Sequence, residues 1–162
     1  MDIRDATPGD WQAIWPIFHD VVTACETYAY DPEMSEDAAR GVWLLPPPGR
    51  TVVALDDDGA VLGTAKMNPN REGPGAHVAS ASFMVASRAA GRGVGRALGE
   101  HVVDWARGEG YRAMQFNAVV ETNTRAVALW RSLGLEVLAT IPEGFRHPEH
   151  GFVGLHVMFR AL

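Results

Sequence analysis

Three glycines at alternate positions, Gly91, Gly93 and Gly95, mark the point where an apolar strand is followed by an amphipathic helix. Glycine has no Cβ, so bare main chain at such a junction lets a ligand approach and leaves N–H groups directed at it. The positive end of the helix dipole adds to these donors and favours an anion such as a pyrophosphate. Arg92 and Arg96 add charge beside them. A tight turn without a ligand is the alternative that the glycines alone leave open.

The spacing of the glycines excludes two common phosphate-binding motifs. A P-loop requires Gly-Lys followed by Ser or Thr, whereas Gly95 precedes Arg96 and Ala97. A dinucleotide-binding fingerprint requires GxGxxG near the first strand and an acidic residue about 20 positions further on. The next apolar strand carries Asn117 instead.

Hydrophobic periodicity and turn signals predict an α/β fold of three layers, a mixed sheet with helices on both faces, in a single domain over residues 1–162. The predicted strands are Met1–Ala6, Thr51–Leu55, Ala60–Met67, His77–Val85, Met114–Val120, Leu135–Ile141 and Phe152–Phe159. The predicted helices are Trp11–Val22, Ser35–Trp43, Gly93–Arg107 and Thr124–Leu133. A loop is expected from Pro142 to Gly151, between the last two strands.

Charge and composition favour a small-molecule partner. The formal net charge of -6 gives no general attraction to nucleic acid or to anionic membranes. One cysteine excludes an internal disulfide, no apolar run reaches the roughly 20 residues that span a bilayer, and the start lacks the pattern of a secretory signal. We therefore expect a cytoplasmic protein.

The segments VASRAAGRGVGRAL and NAVVETNTRAVALWRSLGLE resemble the GCN5-related N-acetyltransferase (GNAT) superfamily, and the predicted order of elements matches its fold over essentially the whole chain. The resemblance implies a mostly antiparallel sheet with a splayed central strand pair, and acetyl-CoA as the cofactor. The glycine segment corresponds to the R/QxxGxG/A pyrophosphate loop, with Ala90 in place of the usual Arg or Gln. The implied main-chain donors are those of Arg92, Gly93, Val94, Gly95, Arg96 and Ala97.

The resemblance also implies where the pantetheine arm of the coenzyme lies. It runs between the strand before the glycine loop and the strand Met114–Val120, and it pairs with the main chain as an added strand would. Asn123 corresponds to an asparagine that contacts this arm, although a plain helix N-cap is the alternative. The main-chain partners implied are Phe83, Met84 and Val85.

The residues for proton transfer depart from the patterns that the chain resembles. Ser80 stands where phosphinothricin acetyltransferases often carry a glutamate base, so Glu26, acting through water, and His77 are the candidates instead. Asn117 matches one member of an asparagine pair that positions the amine in azetidine-2-carboxylate acetyltransferases, and Ser80 stands in place of the other. Trp130 replaces a tyrosine acid and is expected to contact the cofactor, but an indole N–H is not a usable acid.

Tyr28, His77 and Phe145 are expected to contact the acceptor. The predicted activity is acetyl transfer from acetyl-CoA to the amine of a small molecule: an amino acid, an amino-acid analogue or an antimetabolite. A protein or peptide N-acetyltransferase and a non-catalytic acyl-CoA-binding sensor are the alternatives, and Ser80 and Trp130 favour the sensor. Dimers are frequent among similar proteins, so a homodimer is one expected state. The HPEH segment lacks further ligands at a spacing typical of metal sites, so no metal is predicted, and a loop that lines the acceptor mouth is expected there instead.

Overall fold

Seven β-strands and four α-helices follow one another along residues 1–162, all of which the computed structural model describes. The strands are β1 (Asp2–Asp5), β2 (Arg50–Leu55), β3 (Val61–Pro69), β4 (Val78–Val85), β5 (Ala113–Val120), β6 (Glu136–His147) and β7 (Gly151–Ala161). The helices are α1 (Trp11–Thr23), α2 (Glu36–Trp43), α3 (Val94–Gly108) and α4 (Thr124–Ser132). These bounds agree with the sequence predictions to within two residues, except at the end of β6.

All seven strands form one mixed sheet in the order β1-β2-β3-β4-β5-β7-β6. Only β4 and β5 run parallel, and the other neighbouring pairs are antiparallel. Parallel neighbours need a crossover connection, which α3 provides here. The predicted mixed, mostly antiparallel sheet is therefore confirmed.

Two adjacent residues of β3 show that helices cover both faces of the sheet. Thr64 accepts a hydrogen bond from the indole N–H of Trp43 in α2 at 3.1 Å. Gly63 faces α3, where an added Cβ would lie 2.9 Å from Val94 and 3.3 Å from Leu98. Because successive strand residues point to opposite faces, α2 and α3 lie on opposite sides, as the predicted three-layer fold requires.

The predicted loop at Pro142–Gly151 is wrong, because β6 continues to His147. Phe145 and His147 both pair with β7, and only Pro148–His150 form the turn. A shift of register before Phe145, with Glu143 at a φ of 52°, absorbs the extra residues. A bulge of this kind bends a strand without ending its pairing, so Pro and Gly signals here do not mark a loop.

Candidate active site

The strands β4 and β5 pair at only two positions, Val78 with Ala113 and Ala79 with Met114. Beyond these positions the strands diverge, and residues 80–85 of β4 and 116–120 of β5 line a cavity of about 380 Å³. This gap confirms the splayed strand pair expected at the centre of the sheet. The other lining residues are Val21, Thr27, Tyr28, Ala29, Tyr30, Asn123, Ala126 and Trp130.

Main-chain groups along β4 alternate between its two neighbours. The carbonyl oxygen of Val78 accepts a hydrogen bond from Asn70, directly after β3, at 2.7 Å. The carbonyl oxygen of His77 accepts one from Arg112, directly before β5, at 2.9 Å. Even-numbered residues of β4 therefore direct their N–H and C=O groups toward β3, and odd-numbered residues direct theirs toward the gap.

This alternation corrects one of the three main-chain contacts predicted for the coenzyme arm. Met84 directs its main chain toward β3, and its side chain is buried. It therefore cannot offer main-chain groups to the gap as predicted. Phe83 and Val85 have the opposite orientation and face the gap.

The hydroxyl of Tyr28 bridges the main chain of Phe83. It donates to the carbonyl oxygen at 2.8 Å and accepts from the N–H at 2.8 Å. The phenol ring stacks on Tyr30, with 5.8 Å between ring centroids. Burial raises the pKa of the Tyr28 phenol above its usual value, so the hydroxyl stays protonated at neutral pH and remains a donor. Tyr28, predicted to contact the acceptor, thus takes up both gap-facing main-chain groups of Phe83, so these groups are not free for the coenzyme arm as predicted and Val85 is the remaining contact.

Tyr28→Phe is expected to lower the free energy of unfolding by about 1–3 kcal/mol, because the N–H and C=O of Phe83 lose their partner. The phenol pKa is higher in the folded than in the unfolded chain. The stability gained by keeping the Tyr28 phenol neutral is therefore fully present below about pH 10 and is lost as the pH rises further. Urea denaturation at pH 7 and pH 10.5 measures both effects.

Tyr30→Phe is the matched control for this variant. The Tyr30 hydroxyl accepts from Lys66 at 2.9 Å, and Lys66 also donates to the carbonyl of Val42 at 2.7 Å. Loss of the Tyr30 hydroxyl therefore leaves Lys66 with a partner. Equal destabilisation by the two substitutions would contradict the bridging role of Tyr28.

The start of α3 presents four consecutive main-chain N–H groups that have no acceptor in the protein. They belong to Gly93, Val94, Gly95 and Arg96. Gly93 is the N-cap residue with a φ of 79°, and Gly91 before it has a φ of 77°; glycine adopts this left-handed region without penalty. The N–H of Arg92 is bound by Ala89 at 3.3 Å and that of Ala97 by Gly93 at 3.0 Å. Of the six main-chain donors predicted, Arg92 and Ala97 are therefore already bonded within the protein, and the four between them are free.

The side chains around this loop differ in how far they are engaged. The guanidinium of Arg96 donates to Ser132 at 3.0 Å and lies 3.7 Å from Glu100, so it is held beside α4. Arg92 is exposed and makes no ion pair. Val94 buries its side chain in the core. Arg92 is therefore the cation at the loop that is free to meet a ligand.

Asn123 and Trp130 bring α4 to the wall of the gap. The side-chain oxygen of Asn123 accepts from the N–H of Ala126 at 3.2 Å, so the residue is an N-cap, and its NH₂ group remains a donor. The Trp130 ring lies between two phenylalanines, with centroids 4.5 Å from Phe83 and 5.0 Å from Phe116. Asn123 therefore both caps α4 and lines the cavity.

Asn117 of β5 and Ser80 of β4 both line the gap. The Asn117 side chain donates to Asn70 at 2.6 Å and accepts from Gln115 at 2.8 Å. Both halves of its amide are thus engaged within the protein. The Ser80 hydroxyl has no such bond, so it is the freer of the two polar groups.

Three residues predicted for the acceptor side do not line the gap. Glu26 instead lines an adjoining polar cavity. His77 precedes β4, and its Nδ1 lies 3.1 Å from the carbonyl of Pro74, at the end of the strand opposite to the glycine loop. Phe145 is 7% exposed in a small apolar cluster with Val120 of β5 and Val153 of β7, because β6 continues past the predicted loop. Of the predicted acceptor contacts, Tyr28 is the one that lines the gap.

The adjoining polar cavity brings Arg125 and His147 to the site. Arg125 is not predicted from the sequence, whereas the HPEH segment that carries His147 is expected to line the acceptor mouth. The NTR segment that opens α4 carries a signal for Arg125, since a cation two positions after the N-cap lies at the same helix end as Asn123. The strand position of His147 is not predicted, because it depends on the register of β6 with β7.

The structure contains no group of three or more His, Cys, Asp or Glu side chains arranged to hold a metal ion. The two histidines of the HPEH segment lie against each other, with 4.5 Å between ring centroids. None of the helices combines the length and the apolar character that crossing a membrane requires.

Comparison with known proteins adds to this geometry. Residues 12–135 match the profile of the Acetyltransferase (GNAT) family. A GCN5-related N-acetyltransferase from Kribbella flavida is 63% identical, with a TM-score of 0.97 over 99% of this chain and 97% of that chain. A phosphinothricin acetyltransferase (Pat) from Sinorhizobium meliloti, solved in complex with AcCoA, is 27% identical, with a TM-score of 0.87 over 99% of this chain and 88% of that chain.

A curated relative is similar over part of its length. The N-acetyltransferase aca1 from Schizosaccharomyces pombe is 26% identical over 113 residues, which are 69% of this chain and 54% of that protein. The chain thus spans about half or less of the length of the curated relatives it matches.

Proposed function

The chain belongs to the Acetyltransferase (GNAT) family, and on that premise we propose that it transfers the acetyl group of acetyl-CoA directly to the amine of a small molecule. Amino acids, amino-acid analogues and antimetabolites are the expected acceptors. The observation that carries the proposal is the set of four unpaired N–H groups at the start of α3, next to the gap between β4 and β5. A pyrophosphate that continues into an extended amide-containing arm requires such an anion site beside an open strand edge.

The residues around the gap fit the coenzyme. Acetyl-CoA supplies an acetyl group activated as a thioester. The N–H groups of Gly93–Arg96 and the exposed Arg92 would hold the pyrophosphate. Ala90 lacks the side chain that Arg or Gln would add at its position, but the main-chain donors do not depend on that side chain. Val85 would offer its main chain to the arm, and Trp130 would form the facing wall. The similar acetyltransferase from Sinorhizobium meliloti, solved with AcCoA, supports this assignment.

The acceptor amine must lose a proton before it can attack. An alkyl ammonium with a pKa of about 10.4 is deprotonated about once in 2,500 molecules at pH 7, which costs about 4.6 kcal/mol. The Ser80 hydroxyl is too weak a base for this proton, so we assign it to Glu26, acting through water. Glu26 is exposed, so it passes this first proton on to solvent. As the amine nitrogen bonds to the acetyl carbon, the carbon–sulfur bond breaks, the sulfur leaves as the thiolate, and the second nitrogen proton passes through water to Glu26. Asn117, fixed by its two side-chain partners, orients the amine together with Ser80.

The leaving thiolate receives a hydrogen bond rather than a proton. A thiol pKa near 8.5 makes the anion a good leaving group, and the Trp130 indole cannot act as an acid. The free NH₂ group of Asn123 is the side-chain donor that we assign to this role.

We place this activity in the cytoplasm, without a nucleic-acid or membrane partner, and a homodimer stays a prediction. A non-catalytic acyl-CoA sensor is the second candidate, favoured by Ser80 and Trp130 at the positions of a base and an acid. Both candidates need the same coenzyme site, so turnover is what separates them.

Two measurements test the proposal. Isothermal titration is expected to show acetyl-CoA binding at micromolar concentration, and absence of binding up to high micromolar concentration would remove the coenzyme assignment. Release of free CoA thiol is then followed with a panel of amino acids, amino-acid analogues, simple amines and peptides with free N-termini. Turnover with amino acids supports the proposal, turnover with peptides alone supports a peptide N-acetyltransferase, and binding without any turnover supports the sensor.

A further inference from the structure

A second cavity of about 210 Å³ adjoins the gap, and none of its lining residues is apolar. It lies where the segment after α1, the start of α4 and the end of β6 meet. Thr27 and Asn123 line both cavities, so the two spaces meet at these residues. The full set of lining residues is Glu26, Thr27, Thr122, Asn123, Thr124, Arg125 and His147.

His147 is held in one tautomer by its own turn. Its Nδ1 accepts hydrogen bonds from the N–H of Glu149 at 3.1 Å and of His150 at 3.3 Å. A neutral imidazole whose Nδ1 is an acceptor carries its proton on Nε2. The residue is 8% exposed, and its hydrogen bonds within the protein are both made at Nδ1, which leaves Nε2 available. His147 therefore offers the cavity a fixed N–H donor from a buried ring.

The start of α4 contributes further donors on the same side. The guanidinium of Arg125 makes no ion pair, and the main-chain N–H of Arg125 has no acceptor in the protein. The side-chain oxygen of Asn123 is taken by Ala126, which leaves its NH₂ group. The positive end of the α4 dipole adds to these donors. This side of the cavity thus gathers a cation and several N–H groups that lack partners, which suits a carboxylate.

Glu26 is the one acidic side chain in the cavity. It precedes Thr27, which lies at the junction with the gap. A carboxylate next to the junction suits an ammonium group there. The charges of the cavity therefore match a zwitterion whose ammonium group is near the gap and whose carboxylate is near Arg125 and His147.

We propose that this cavity binds the α-carboxylate of the acceptor, through Arg125 and His147, so that the substrate class is α-amino acids and their analogues rather than simple amines. The inference rests on the proposed function, because it assigns the amine of the same molecule to the acetyl-transfer site. It makes Arg125 a specificity-determining residue.

Glycine and methylamine are the probes, since they differ only by the carboxylate. Each is titrated into the ¹⁵N-labelled full chain, with and without saturating CoA, while NMR follows the Arg125 main-chain N–H and the His147 ring N–H. Glycine is expected to shift both signals, and methylamine at the same concentration is expected to leave them unmoved. Arg125→Ala should weaken glycine binding at least about tenfold, and Arg125→Lys should restore part of the affinity.

Arg131→Ala is the matched control, because it removes the same charge from the last turn of the same helix; it should leave glycine binding unchanged. Equal shifts with methylamine, or unchanged glycine binding in Arg125→Ala, would overturn the proposal. Weaker CoA binding with unchanged glycine binding in Arg125→Ala would assign the anion site to a coenzyme phosphate and overturn it as well. Failure of the chain to bind CoA while glycine still shifts both signals would refute the proposed function and leave the carboxylate site standing.

Discussion

Gly93→Val is expected to weaken acetyl-CoA binding by about 100-fold. Gly93 is the N-cap of α3 at a φ of 79°, a region that a β-branched residue adopts only under strain. The main chain must rotate to relieve this strain, which turns the N–H groups of Gly93 and Val94 away from the anion. Two charge-assisted hydrogen bonds at about 1.5 kcal/mol each correspond to that factor. Isothermal titration with acetyl-CoA measures it.

Gly110→Val is the control that introduces the same backbone strain away from the anion site. Gly110 follows the other end of α3 at a φ of 80°, and an added Cβ meets nothing within 4 Å at either position. Both variants should lose about 1–3 kcal/mol of unfolding free energy. Only Gly93→Val should lose coenzyme affinity, and a comparable loss of affinity in Gly110→Val would refute the anion site.

Trp130→Ala is expected to lower the free energy of unfolding by about 3–5 kcal/mol. The side chain is 7% exposed and packs between Phe83 and Phe116. Its ring also covers Gly99 of α3, where an added Cβ would lie 3.1 Å from the ring. Truncation removes the contact that joins α3, α4 and both walls of the gap. Urea denaturation gives the size of the effect.

Trp130→Phe tests whether this cost comes from packing. A phenyl ring keeps contact with both neighbouring phenylalanines, so the loss should be less than half of that in Trp130→Ala. The same variant removes the indole N–H. If coenzyme binding stays within a few-fold of the wild type, the role of Trp130 is that of a wall rather than a donor. Losses of similar size in the two variants would contradict the packing account.

Much of the fold can be predicted from the sequence because its signals are local. The turn Asp56–Gly59 marks the β2–β3 hairpin, and the glycines before Val94 mark the start of α3. Each signal acts within a few residues, so element type and order follow from composition and periodicity. The donors at Gly93–Arg96 are predicted for the same reason, since a helix start leaves its first N–H groups unpaired.

The parts of the site that escape prediction depend on contacts between distant segments. Tyr28 and Phe83 are 55 residues apart, and no local pattern shows that a hydroxyl meets that main chain. The orientation of Met84 depends on which edge of β4 pairs with β3, and one residue of register reverses it. His147 reaches the polar cavity only because β6 continues past a proline and a glycine that ordinarily indicate a loop.

The irregularity in β6 also protects the outer edge of the sheet. β6 is an edge strand of twelve residues, and a straight edge of that length would offer an unbroken row of polar main-chain groups to another copy. Pro142 has no N–H to offer another strand, and the bulge with Glu143 at positive φ bends the strand away from a flat ladder. Copies of the chain are thereby discouraged from joining into a continuous, aggregation-prone sheet.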